Sequence, residues 1–178
     1  IVDVEENTPT GLAFTYDGTK MFVTGFSGDD INEYTLSTAW DVSTASFVDS
    51  FSTQSVDGDT RDVKFNQDGT KMFVLGKSND RVCEYTLSTG FDVSSTVTFI
   101  DCKSVSPVGD PEELEFSPDG TKMFVLDNSG NDVNEFTLTT GFDISTASYV
   151  QTLIVDVEEN TPTGLAFTYD GTKMFVTG

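Results

Sequence analysis

Apolar and polar residues alternate along four short stretches of the chain, which is the pattern of a β-strand with one buried face. The stretches are GLAFT at 11–15, DVKFN at 62–66, ELEFS at 113–117 and GLAFT at 164–168. Each is followed by a turn signal and then by KMFV. In SPDGT at 117–121, Pro118 presets φ and Gly120 accepts a positive φ. The pattern therefore predicts four β-hairpins.

Two further strands are predicted after each complete hairpin. A loop rich in Gly, Ser, Asn and Asp leads to a third strand, which carries Tyr34 and Leu36 or their counterparts. A longer polar connection built on DVSTAS then leads to a fourth strand, such as FVDSF at 47–51. No stretch has a helical period of useful length. We therefore expect sheets of four antiparallel strands.

The whole pattern repeats along the chain without an insertion. The heptapeptide DGTKMFV begins at residues 17, 68, 119 and 170, so the period is 51 residues. Residues 1–51, 52–102 and 103–153 are named here units 1, 2 and 3, and residues 154–178, which are identical to 1–25, are named unit 4. This period predicts an all-β fold of β-propeller blades, with three full blades and the inner hairpin of a fourth in one domain.

The hairpin sequence SPDGTKMFV resembles the inner hairpin of lactonase-like and TolB-like β-propellers, and the resemblance covers the whole chain. The longer signature, EYTLST followed by an aromatic residue and DVSTAS, is similar to repeat arrays of marine phages and bacteria. The resemblance implies the propeller fold. It implies no particular activity, because propellers carry unrelated functions on one scaffold.

The charge of the chain restricts its partners. The chain has 30 Asp and Glu residues against 9 Lys and Arg, a net charge of -21, so it repels phosphate backbones and anionic lipid surfaces. Nucleic acid and membranes are therefore not expected as partners, and no apolar run has the length of a membrane span. The acidity suits an extracellular or virion-associated setting. The absence of histidine removes histidine-based triads and most zinc sites.

The acidic residues are concentrated in two kinds of loop: the loop before the first strand of a unit and the loop between its second and third strands. The resemblance implies that both kinds of loop lie on the same face of the propeller disc. The functional hypothesis is a site for a cation or a basic partner, with no resident cofactor and with calcium as the best-matched ion. The alternative is solvated loop charge. The candidate ligand residues before the first strands are Asp57, Asp59, Asp110, Glu112, Glu113, Asp156, Glu158 and Glu159, with Asp3, Glu5 and Glu6 in unit 1. The candidate metal ligands Asp127, Asn131 and Asp132 lie in DNSGND, which resembles half of a calcium loop but lacks its downstream Glu.

Three further sets of residues carry structural predictions. Lys64 and Glu115 occupy the same repeat position and are predicted to bridge consecutive blades. If Leu87 faces Thr98, Cys83 and Cys102 are opposite each other on neighbouring strands. Their sulfurs are then adjacent, either bonded or reduced, and a reduced pair is favoured. The repeated aromatic residues, represented by Phe14, Phe22 and Tyr34, are predicted to form the core between blades rather than a carbohydrate platform.

The identical ends raise the question of how a ring closes. Three and a half blades expose apolar faces, so self-association is the expected remedy. Two chains supply 356 residues against 357 for seven units, but they also supply eight inner hairpins and only six outer ones. Either two blades lack their outer strands, or the identical hairpins of the two chains compete for the same position in a blade by strand exchange. We expect an excised or designed fragment.

The leading hypothesis is a non-enzymatic, self-assembling propeller fragment, a homodimer with ligand binding at its acidic face. One alternative is a lactonase-like or glycosidase-like enzyme. Another is a carbohydrate-binding adhesion module of a virion or a cell surface.

Overall fold

Each of units 1 to 3 folds into one four-stranded antiparallel sheet. The structure, a computed structural model, describes residues 6–178, so Asp3 and Glu5 lie outside the described residues. The strands of unit 1 are β1 (Pro9–Phe14), β2 (Lys20–Gly25), β3 (Asp30–Leu36) and β4 (Ala45–Ser52). Those of the next two sheets are β5 (Thr60–Phe65), β6 (Lys71–Gly76), β7 (Arg81–Leu87), β8 (Val97–Ser104), β9 (Pro111–Phe116), β10 (Lys122–Asp127), β11 (Asp132–Leu138) and β12 (Ala147–Ile154). Unit 4 forms the hairpin β13 (Gly164–Phe167) and β14 (Met174–Thr177).

The strands of each sheet are paired in sequence order, as expected from the alternating pattern. The orders are β1-β2-β3-β4, β5-β6-β7-β8 and β9-β10-β11-β12, with β13-β14 as a two-stranded sheet. The first strand of each sheet contacts the first strand of the next, since β1 lies against β5, β5 against β9 and β9 against β13. The first strands are therefore innermost, and the sheets are stacked side by side around them. No helix within residues 6–178 is long and apolar enough to cross a membrane.

The hairpin turns are closed by one glycine and one aspartate in every unit. Gly120 has a φ of 69°, in the left-handed region that favours glycine, which confirms the positive φ predicted for this residue. Asp119 Oδ1 accepts hydrogen bonds from the Thr121 amide at 3.0 Å and from the Ser117 hydroxyl at 2.7 Å. These bonds favour the ionised carboxylate and lower the pKa of Asp119 to about 2.

An aromatic residue lies over each turn glycine in units 1 to 3. Trp40, Phe91 and Phe142 have φ values of 64°, 57° and 57°, an uncommon conformation for such residues. It places the ring directly on the glycine, so that a Cβ atom on Gly18 would lie 2.3 Å from the Trp40 ring. A side chain at the position of the turn glycine is therefore excluded, and the ring covers the turn between the first and second strands.

Aromatic rings also lock neighbouring sheets together, which confirms the predicted core between blades. Phe22 of unit 1 packs on Phe65 of unit 2 with ring centroids 4.5 Å apart. The equivalent pairs are Phe73 with Phe116 at 4.7 Å and Phe124 with Phe167 at 4.6 Å. The second strand of each unit thus presents a phenylalanine to the first strand of the next.

The cysteines lie opposite each other on β7 and β8, but in a register that differs from the prediction. Cys83 pairs with Cys102, whereas Leu87 faces Val97 and not Thr98. A bulge between Glu84 and Tyr85 shifts the pairing by one residue between the two ends of the strand. The two sulfurs form a disulfide, and the Cα atoms of the two cysteines are 4.0 Å apart, so the pair is bonded and not reduced as expected.

Candidate functional site

The two kinds of acidic loop come together at one face of the stack. The loop before the first strand of unit 2 bonds the loop of unit 1 that follows β2, since the Thr53 amide donates to the Asp29 carbonyl at 2.7 Å. The Val105 amide donates in the same way to the Asp80 carbonyl at 2.9 Å. These bonds place many carboxylates near each other, and the contacts of each one show which are available to a ligand.

Asp57 fastens its own loop and is not available. The residue is buried, and its carboxylate accepts from the amides of Asp59 and Ser78, each at 3.1 Å, and from Asn79 Nδ2 at 3.1 Å. Glu6 of unit 1 occupies the same repeat position and accepts from the amides of Thr8 and Gly28. In unit 4, Glu159 accepts from the Thr161 amide at 3.0 Å. This position therefore has a structural role.

In unit 3 the loop before the first strand is held by an acid at the end of the second strand, β10. The counterpart of Asp57 is Val108, which is buried, and the acid is supplied instead by Asp127, the counterpart of Gly76. Asp127 accepts from the amides of Gly109 at 3.0 Å, Asp110 at 2.9 Å and Ser129 at 3.0 Å. Only a glycine fits opposite Asp57, because a Cβ on Gly76 would lie 2.3 Å from the Asp57 carboxyl carbon. Acid and glycine are thus exchanged as a pair between units.

A cation network from unit 2 binds three other predicted ligand residues. The Arg61 guanidinium contacts Asp59 at 2.8 Å and Glu112 at 3.2 Å. The Lys77 ammonium contacts Glu112 at 3.0 Å and also pairs with Asp110. The network joins unit 2 to unit 3, so Asp59, Asp110 and Glu112 act as a bridge between sheets.

A second network surrounds Lys64 on the innermost strands. The Lys64 ammonium lies 3.1 Å from Glu115, which confirms the predicted bridge between consecutive units. It also lies 3.3 Å from Asp62 and 3.3 Å from Glu113. Sequence reasoning missed Asp62, although the alternation along β5 places it beside Lys64 on the inner strand.

These four groups perturb one another. Burial first, then the negative charge of Asp62, raises the pKa of Glu113 to about 7, against the opposing effect of Lys64. Burial also raises the pKa of Asp62. Although burial by itself would lower the pKa of Lys64, the carboxylates of Asp62, Glu115 and Glu113 raise it. Lys64 therefore stays protonated among groups of which one carboxyl titrates near neutral pH.

The predicted metal ligands already have partners within the protein. Asp127 is committed to backbone amides, Asp132 accepts from Asn134 Nδ2 at 2.5 Å, and the Asn131 amide lies beside the carbonyl oxygens of Asn128 and Asn160. Within residues 6–178, no three acids, cysteines or histidines are grouped so as to hold a metal ion. Asp156 and Glu158 are exposed on the loop of unit 4. Calcium binding at this face stays a prediction.

A lysine–glutamate clamp, which sequence reasoning missed, holds each unit to the next. In unit 1, Lys20 pairs with Glu33 at 2.6 Å and donates to the Phe91 carbonyl of unit 2 at 2.6 Å. The other Glu33 oxygen accepts from the Val93 amide at 2.8 Å. Lys and Glu recur at both positions in units 2 and 3, and that repetition was the available signal.

The clamp of unit 2 is filled in the same way. Lys71 pairs with Glu84 at 2.7 Å and donates to the Phe142 carbonyl at 2.5 Å. Glu84 accepts from the Ile144 amide at 3.2 Å. Each clamp therefore grips two backbone groups of the connection between the third and fourth strands of the following unit.

The clamp of unit 3 faces solvent instead. Lys122 pairs with Glu135 at 2.5 Å, and its side chain is 53% exposed, against 26% for Lys20. The second Glu135 oxygen accepts from Gln151 Nε2 at 2.8 Å. Beside this pair lies an open cavity of about 660 Å³, lined by Phe124, Phe167, Gly171 and Lys122. We name this exposed pair and the adjoining cavity the open clamp.

Comparison with solved structures identifies the architecture. The chain matches the β-propeller domain of Cps50 (Swd1) from Myceliophteria thermophila with a TM-score of 0.60, 11% identity, and coverage of 96% of this chain and 50% of that one. The fold is a β-propeller. It also resembles a Bacteroides uniformis protein provisionally named a 6-phosphogluconolactonase, with a TM-score of 0.67 and 16% identity over 94% of this chain and 46% of that one. Staphylococcus aureus virginiamycin B lyase matches with a TM-score of 0.62 and 12% identity, over 99% and 51%.

These similarities establish the fold and the repeat character, and the chain spans about half the length of the propellers it matches. No protein-family model and no curated protein sequence matches the chain.

Proposed function

We propose that this chain is a non-enzymatic, self-assembling β-propeller unit whose copies associate through the two outer faces of the stack and complete a ring. The supporting observation is a pair of exposed apolar faces that match each other.

One face belongs to unit 1. Leu12 is 55% exposed, whereas its counterparts Val63 and Leu114 are fully buried against the preceding unit. The other face belongs to unit 4. Phe175 is 55% exposed, whereas its counterparts Phe22 and Phe73 are fully buried against the following unit. The exposed face of unit 1 is therefore of the kind that packs against the exposed face of unit 4.

When the unit 1 face of one copy binds the unit 4 face of the next, the contact is head-to-tail. Head-to-tail contacts close into a ring when the rotation between successive copies adds up to a full turn. The propeller fold supplies that rotation within the chain. We infer a homodimer as the smallest closed assembly, with neither nucleic acid nor membrane as a partner because of the net charge of -21. The disulfide supports an extracellular or virion-associated location, because such bonds persist in oxidising surroundings.

The test is the solution mass of the 178-residue chain by light scattering across concentrations. We expect a dimer that dissociates on dilution, and a Phe175→Asp variant that remains a monomer. Val157→Asp, a change of the same kind at an exposed residue of the same unit, should dimerise like the unchanged chain. A chain that stays monomeric at every concentration contradicts the proposal.

An enzymatic role is the second candidate, and one observation favours it. Glu113 has a pKa raised to about 7 beside Lys64, which suits a general acid or base at neutral pH. Proteins of similar fold include the one provisionally named a 6-phosphogluconolactonase. Turnover of a lactone panel that disappears in Glu113→Gln would establish this role and replace the first proposal's claim of a non-enzymatic protein.

A further inference from the structure

The open clamp of unit 3 has two filled counterparts within the same chain, and each of them holds two backbone groups of the following unit. We propose that the Trp40–Val42 segment of a second copy fills it, and that β3 of that copy pairs with β14. The β13-β14 hairpin of one chain then takes the place of the β1-β2 hairpin of the other. This inference rests on the proposed self-association and keeps Phe175 of unit 4 in the contact. It replaces stacking on the Leu12 face, because the hairpin that carries Leu12 is displaced.

The hydrogen bonds follow from the filled clamps. Lys20 and Lys71 donate to the carbonyls of Phe91 and Phe142, whose counterpart in unit 1 is Trp40. Glu33 and Glu84 accept from the amides of Val93 and Ile144, whose counterpart is Val42. Lys122 therefore matches the Trp40 carbonyl, and Glu135 matches the Val42 amide.

The apolar surfaces fit the same occupant. In the filled case, Phe142 packs on Phe116 at 5.6 Å and on Phe73 at 6.0 Å, which makes a group of three rings. At the open site, Phe124 and Phe167 form the equivalent pair, and a Cβ on Gly171 would meet nothing within 4 Å. Trp40 and Val42 are 60% and 57% exposed, whereas Ile144 is fully buried. An indole ring from a second copy completes the group over Gly171.

The strand pairing transfers without change because the two hairpins have the same sequence. In unit 1, β2 pairs with β3 so that Val23 faces Asn32 and Phe22 faces Glu33. When β14 replaces β2, Val176 faces Asn32 of the second copy and Phe175 takes the place of Phe22 against its Phe65. The pairing lost within one chain is thus regained between chains, which makes exchange of identical segments inexpensive.

Stacking of intact chains does not fill the clamp. An unexchanged unit 1 would lie beyond the hairpin of unit 4, so Trp40 and Val42 would not reach Lys122 and Glu135. Exchange instead gives three complete blades per chain and six in a dimer. Six blades lie within the usual range of four to eight.

The experiment places a cysteine pair across the exchanged contact. Cysteine is tolerated at residue 32, because Cys83 is its counterpart in unit 2. Residues opposite each other on antiparallel strands are close enough for a disulfide. In Asn32→Cys/Val176→Cys we expect a covalent dimer on a non-reducing gel that dithiothreitol returns to monomers. In the matched control, Asn32→Cys/Val23→Cys, the bond closes within one chain and locks its own hairpin, so we expect loss of the dimer in light scattering.

The outcomes separate the two proposals. If the unchanged chain dimerises but the locked variant dimerises equally well, or the first variant gives no covalent dimer, exchange is wrong and stacking of intact chains explains the assembly. If the unchanged chain is a monomer, self-association itself fails, and exchange fails with it.

Discussion

Glu113 illustrates how one buried residue links charge to stability. Its side chain lies 3.3 Å from Lys64, yet burial and the nearby Asp62 raise its pKa from 4.5 to about 7. The folded chain therefore binds more protons than the unfolded chain between these two values. The free energy of unfolding must fall as the pH rises through this interval.

The first prediction concerns that pH dependence. Glu113→Gln carries no titrating group, so the fall in its free energy of unfolding between pH 4.5 and pH 7 should be smaller by about 1 kcal/mol. Urea unfolding at several pH values measures it. The exposed Glu158→Gln should follow the unchanged chain. Parallel curves for Glu113→Gln and Glu158→Gln would show that Glu113 is not perturbed in the folded state.

The second prediction tests the exchange of acid and glycine between units 2 and 3. Asp57→Val leaves the amides of Asp59 and Ser78 without their acceptor, and Gly76→Asp collides with Asp57, so each alone should cost about 2 kcal/mol. The double variant reproduces Val108 and Asp127 of unit 3. It should recover at least about 1 kcal/mol relative to the sum of the single changes. Additive losses in urea unfolding would contradict the structural role of the pair.

At the level of the strand connections, the clamp explains why Lys and Glu recur on the second and third strands of each unit. Both filled clamps bind backbone atoms of the next unit. Their contribution to the free energy of unfolding therefore depends on the neighbouring unit and not only on the strands that carry them. The three clamps provide matched positions for mutation, because only that of unit 3 faces solvent.

The third prediction uses this match. Lys71→Met removes the partner of Glu84, whose side chain is 4% exposed, and should lower the free energy of unfolding by about 2 kcal/mol. Lys122→Met at the equivalent, exposed pair should lower that of the dilute monomer by less than about 0.5 kcal/mol. Urea unfolding below the association concentration gives both values. Equal losses would mean that the clamp does not derive its strength from the next unit.

For the molecule as a whole, charge opposes assembly while the apolar faces favour it. Each chain carries a net charge of -21, so two copies repel each other until salt screens them. The exposed apolar surface around Phe175 of unit 4 supplies a contact that does not weaken with salt.

The fourth prediction follows from this balance. Raising NaCl from 0.05 to 0.5 M should lower the dissociation constant of the dimer by at least about tenfold, as measured by light scattering or sedimentation. Phe175→Asp should stay monomeric at both concentrations. A dissociation constant that rises with salt would instead show that attraction between charged groups of the two chains dominates the contact.

Much of the fold could be predicted because it is local. Alternation in GLAFT and its counterparts, the turn glycines and the period of 51 residues determine where strands lie and how they are paired within a unit. The repeated phenylalanines could be assigned to the core for the same reason, since strand geometry places them on one face. The pairing of Cys83 with Cys102 was predictable, but the bulge that moves Leu87 opposite Val97 was not, because it depends on packing between strands.

The role of each carboxylate was decided by the tertiary structure. The sequence shows that acids are abundant in the loops, but only the packing of units shows that Asp57 and Asp127 satisfy backbone amides and that Asp59, Asp110 and Glu112 meet Arg61 and Lys77. The identity of residues 1–25 and 154–178 is likewise plain in the sequence. That one hairpin lies within a full sheet and the other beside an open clamp is a property of the stack, because it depends on which neighbour each hairpin contacts.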